Sequence, residues 1–167
     1  MHNNKLNNKI EKRVLKDGDF IIERTSQKDF AQALSFQIEE GAKVSYLLIV
    51  DEAFDLAVTR QWDLQNNSSL DSRRLFLQDK AHQTWSFQHE IGGKAVLNSR
   101  SLLIGMTDEQ FNLNSVYNFS GQASFGRVNI DSLLTSKAQL NCVADVNVLP
   151  TAQQSDTRVD MTLRLES

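Results

Sequence analysis

The sequence predicts an all-β chain, a right-handed parallel β-helix (solenoid) of short strands with a short N-terminal helix. From Ala138 to Ala152 every second residue is small or apolar: Ala138, Leu140, Cys142, Ala144, Val146, Val148, Pro150 and Ala152. That is the period of a strand with one buried face. The same period of two runs through most of the chain from Phe20 onward. Alanines also recur at 81, 95, 123, 138 and 152, separated by 14, 28, 15 and 14 residues. Short strands alone fit a sandwich or jelly roll equally well. The alanine spacing selects stacked coils of about 28 residues with two strands each, in which small residues let the backbone turn tightly.

The elements follow in order. Leu6, Ile10 and Val14 stand at steps of four, with Lys16 and then Gly18 as a stop signal, which predicts a basic N-terminal helix or arm over 1–18. Asn3, Asn4, Asn7 and Asn8 weaken that helix, so it depends on docking against apolar surface. Residues 19–167 form the β-helix domain. Leu34, Phe36 and Ile38 alternate, and Val44, Tyr46, Leu48 and Val50 alternate after a turn at Gly41. Leu56, Val58, Trp62 and Leu64 keep one parity through Arg60. Leu75 with Leu77, Trp85 with Phe87, then Phe111, Leu113, Tyr117, Phe119 and Phe125 fit further strands, with Asn112, Asn114 and Asn118 facing outward. Gly92-Gly93 reads as a hairpin turn, and Thr107 to Gln110 invites a helical turn.

Composition bounds the function. A chain of 167 residues fits one domain, 40% hydrophobic and 23% charged, within the range of folded globular chains. The longest purely apolar stretch, Tyr46 to Val50, is five residues, so neither a membrane span nor a secretory signal is expected and the address is cytoplasmic. Cys142 stands alone and cannot form an internal disulfide. Residues 1 to 16 carry a local +4, which leaves about −7 on the body, against a nucleic-acid partner.

Chemistry-bearing residues are few. His82 and His89 are seven positions apart and point to opposite faces of one strand, while His2 is terminal. No Cys pair, His-x-x-x-His or calcium-type loop is present, so no metal site is expected. His89 and Glu90 diverge as strand neighbours and do not form an acid–base pair. No phosphate-cradling glycine loop or nucleophile elbow occurs. Cys142 reads as a buried structural thiol, and Trp62 and Trp85 as core. No catalytic residue and no cofactor motif is assigned, and the chain is expected not to be an enzyme.

The tail also carries a family resemblance. Ala138, Val146, Val148, Pro150, Ala152, Gln153, Ser155 and Asp156 fall in register with a run typical of the β-helical core of the SufB/SufD family, with Leu165 and Ser167 at its end. Leu34 to Val50 is similar to that family's entry strands, and Gly121 to Ala138 to its preceding coil. The resemblance implies a β-helix serving Suf-type iron–sulfur cluster assembly, with a SufB/SufD-like subunit or a second copy of itself and a Suf-type ABC ATPase as partners. A cluster would be held only transiently, with a partner. The departures are specific: Cys142 and Ala144 replace the family's Phe and Gly, Val159 and Met161 its Gln and Asn, and Arg164-Leu165-Glu166 its leucine triplet. A fully apolar strand has thereby become an alternating one. No residue here matches the family's functional Cys, His and Glu, so no cluster ligand or ATPase contact is carried over.

Overall fold

The computed structural model describes residues 10–27, 30–51, 55–78, 82–105, 110–135 and 137–166. Twelve strands follow one another: β1 Glu11–Leu15, β2 Phe20–Arg24, β3 Ala33–Ile38, β4 Lys43–Val50, β5 Leu56–Leu64, β6 Ser69–Gln78, β7 His82–Ile91, β8 Val96–Gly105, β9 Gln110–Phe119, β10 Phe125–Thr135, β11 Gln139–Val148 and β12 Asp156–Glu166. The odd strands build one six-stranded sheet in the order β1-β3-β5-β7-β9-β11, and the even strands build the other, β12-β10-β8-β6-β4-β2. Every pairing is parallel. A chain that visits two sheets alternately, laying each strand beside the previous one of its sheet, is a β-solenoid with two strands per coil.

The coil is not constant. Partners in the first sheet are offset by 23, 26, 27, 28 and 29 residues, and those in the second by 25, 26, 27, 29 and 31. Strands lengthen from five residues at β1 to eleven at β12.

The repeat lies in one corner. A left-handed residue recurs at Gly18, Gly41, Asn67, Lys94, Ala123 and Gln154, with φ between 55° and 85°. From the second coil on, the next residue is small: Ala42, Ser68, Ala95, Ser124 or Ser155. Four of these five are fully buried. Ser68 and Ser124 close the turn by donating from Oγ to the carbonyls of Gln65 and Gly121, at 2.6 and 3.0 Å. Stacking makes the corners tight, since a Cβ on Gly121 would lie 2.0 Å from the Gly93 amide nitrogen.

These contacts correct three expectations. Ala95 is the buried residue of the corner while Ala123 is its left-handed residue, so the spacing of 28 joins two inequivalent positions. Gly92-Gly93 lies at a corner between sheets, because no antiparallel hairpin occurs among the described residues. Residues 11–15, expected to be helical, form β1, which pairs with β3 and leaves Val14 exposed. A ladder beside β3 satisfies backbone groups that an asparagine-rich helix would hold only weakly. Positions 1–9 and most of the turn expected at 107–110 lie outside the described residues; Gln110 opens β9.

The core fills the space between the sheets. One inward row of the first sheet runs Phe36, Trp62, His89, Tyr117, Val146. Phe36 stacks on Trp62 at 4.3 Å between ring centroids, and His89 on Tyr117 at 4.7 Å. Outward, the first sheet carries amides and hydroxyls in ladders, such as Asn118 donating to Glu90 at 2.6 Å and Asn147 donating to Asn118 at 2.9 Å. In β6 the inward residues are Leu70, Ser72, Arg74 and Phe76, so Leu75 and Leu77 face out.

Candidate functional site

Two arginines occupy the interior, and their surroundings differ. Arg60, on β5, is fully buried and donates to both carboxylate oxygens of Glu23 on β2, at 2.8 and 3.1 Å. It also donates to the carbonyls of Gln32, Thr59 and Ala31 and lies 5.1 Å from the Phe30 ring centroid. The Tyr46 hydroxyl donates to the same carboxylate. Burial, followed by the Glu23 charge, pushes the Tyr46 phenol well above its ordinary range, with Arg60 partly opposing. This network is closed: a carboxylate and three carbonyls surround the guanidinium.

Arg74, on β6, is 2% exposed. Its guanidinium lies 4.0 Å over the Phe87 ring and donates to Ser99, while its Nε and Nη1 have no partner. His89 sits nearby on β7, fully buried, its Nδ1 3.4 Å from the Val116 carbonyl. Desolvation, with the charge of Arg74, lowers its pKa to about 3, so it is neutral at physiological pH.

The last coil is different again. β11 and β12 are each paired on one side only among the described residues. Their inward positions, Leu140, Cys142, Ala144 and Val146 on β11 and Val159 on β12, are half-covered. Leu163 is 57% and Leu165 73% exposed, although both occupy the inward parity of β12, beside Ser132 and Leu134 of β10. Two adjacent strand edges with free backbone groups and an apolar row between them form a surface ready for strand addition. On the outer face of the second sheet, Leu102, Ile104 and Leu133, rimmed by Asp131, Thr162 and Arg164, line a shallow groove of about 380 Å³.

The sequence-predicted residues fall as follows. His82 is exposed and His89 buried, on opposite faces of β7 as the parity requires, and Glu90 turns outward to Asn118. Trp62 and Trp85 are core. Cys142 faces inward but is only half-buried, β11 being the outermost strand of its sheet among the described residues; burial raises its thiol pKa, with Arg74 partly opposing. The two interior arginine clusters had no advance signal beyond Arg60 and Arg74 standing at apolar-parity positions. Among the described residues no group of three or more His, Cys, Asp or Glu gathers as a metal site would require.

Comparison with known proteins adds no relative: no family model, no curated protein and no solved structure matches the chain.

Proposed function

We propose that this chain is a non-enzymatic scaffold or accessory component of Suf-type iron–sulfur cluster assembly, working through the open coil end of β11 and β12. The observation that carries the reading is that edge, at the end of a two-strand coil of the kind the SufB/SufD resemblance implies. A SufB/SufD-like subunit adds its strands there, covering Leu163 and Leu165, and a Suf-type ABC ATPase joins the assembly. Any cluster is held only transiently, with the partner. Anaerobic affinity purification from the native host tests this: both partners are expected to co-purify, and iron and sulfide reconstitution to give cluster absorbance only in their presence. Recovery of neither partner, with no absorbance in any mixture, counts against it.

A second reading is a protein-interaction module without cluster chemistry, in which the same edge pairs with a second copy of the chain. The charge order of β12 favours it. Antiparallel pairing centred on Thr162 would set Arg158 against Glu166 and Asp160 against Arg164, with Met161 against Leu163 on the apolar side. A concentration-dependent dimer in light scattering, broken by Leu163→Lys, supports this reading, and a monomer at all concentrations opposes it.

A further inference from the structure

Of the two buried arginines only Arg60 has a carboxylate, Glu23, and the contrast defines a site. A guanidinium stays ionised at every pH at which a protein is folded, and a charge taken out of water is stable only when it is paired. Among the described residues the one buried carboxylate, Glu23, stands two strands away from Arg74 in the same inward row and is taken by Arg60, while Asp71, Glu90 and Asp131 stand at outward positions of their strands. The polar groups that face inward beside Arg74 are uncharged, and several of them lack a partner. Ser101 is the register neighbour of Arg74 on β8, and Ser115 is the register neighbour of Phe87, the ring beneath the guanidinium. Both hydroxyls are buried and without a partner, as are Arg74 Nε and Nη1 and the Tyr117 hydroxyl. Small side chains gather in this part of the interior: Ser72 and Ser115 stand where the preceding coil carries Tyr46 and Phe87, and Ser99 and Ser101 follow Ser72 and Arg74.

Water would satisfy these hydrogen bonds but not the charge. His89 supplies no counter-charge, since burial first and the charge of Arg74 second keep it neutral. We propose that Arg74, with the hydroxyls of Ser101 and Ser115, forms an interior binding site for a small monovalent inorganic anion of chloride size. The anion accepts from Arg74 Nε and Nη1 and from the two serines, and it provides the negative charge that Glu23 provides to Arg60. The site lies inside the coil stack, so the anion is captured as the coils close and stabilises the folded chain by mass action.

The experiment uses the full chain. Crystals grown in sodium bromide are expected to show one anomalous peak beside Arg74 Nε. Thermal melting in sodium chloride against sodium gluconate, at constant ionic strength, is expected to rise by about 3–5 °C per tenfold increase in chloride above half-saturation. The dependence weakens in Ser101→Ala/Ser115→Ala and disappears in Arg74→Met. Ordered water in place of the bromide peak, or equal melting in chloride and gluconate, overturns the proposal, as does a chloride dependence that survives in Arg74→Met. If Arg74→Met does not fold, the bromide crystal and the wild-type titration decide between these outcomes.

Discussion

Replacing Glu23 with alanine tests the closed network directly. The substitution removes three hydrogen bonds to one carboxylate, two from Arg60 and one from Tyr46, and leaves a fully buried guanidinium without a counter-charge. Breaking a buried ion pair from one side costs about 3–5 kcal/mol. Here the carbonyls of Gln32, Thr59 and Ala31 still receive Arg60, which argues for the lower end, about 3 kcal/mol. In a domain of this size that corresponds to a fall in melting temperature of roughly 6–12 °C. Urea denaturation of Glu23→Ala, Arg60→Met and the double variant Glu23→Leu/Arg60→Met measures the coupling. The double variant is expected to cost less than Glu23→Ala alone, because it leaves no unpaired charge behind. A loss below about 1 kcal/mol for Glu23→Ala, or a double-variant loss equal to the sum of the singles, refutes the argument.

The remaining predictions concern pH, the corner and the edge. His89 has its pKa lowered in the fold to about 3, so the folded chain binds fewer protons than the unfolded one between there and the ordinary histidine range near 6.5. Its contribution is present above about pH 6.5 and is lost as pH falls toward 3. Acid denaturation followed by circular dichroism should show this limb flattened in His89→Gln. The phenol of Tyr46 is shifted up, so the folded chain holds its proton longer; stability is expected to fall as pH rises past about 10, less so in Tyr46→Phe. Gly121→Ala meets backbone at 2.0 Å and is expected to cost about 2–4 kcal/mol by denaturant titration, whereas Gly41→Ala, with open space, costs only the strain of its positive φ. Alkylation of Cys142 should proceed slowly in the free protein, its thiol being half-buried and shifted up, and stop when a partner covers β11; unchanged alkylation in the complex argues against that edge as the docking surface.

The strand parity of β3, β4, β5 and β9 was legible because each inward face carries at most one polar residue, such as Arg60 or Ser115, and a period of two is robust to one exception; β7, with Gln83 and His89 inward, was legible only through Trp85 and Phe87. The sheet arrangement was legible only through a repeat, and the alanines pointed to the right coil length for the wrong positions. The true repeat is conformational, a left-handed residue that is glycine in two coils and Asn, Lys, Ala or Gln in the others, so no residue type marks it. β6 shows the limit of pattern reading, since its leucines at 75 and 77 face out while Ser72 and Arg74 face in. Over Glu11–Leu15 a strand replaces the expected helix because a step of four is weak evidence where an existing strand offers its edge. The interior arginines were invisible as sites because each acquires its meaning from residues one or more coils away.

The changing coil size bears on how the chain assembles. In a stack of identical repeats a strand can pair one coil too early or too late at little loss, and such slippage is a common trap. Here each coil is longer than the one before it in both sheets, and the strands grow from five to eleven residues. A slipped coil would set strands of unequal length side by side, strand a corner away from its stacking partner, and bring Arg60 opposite a neighbour other than Glu23. Each coil therefore fits one place in the stack, and the order of assembly is written into its dimensions.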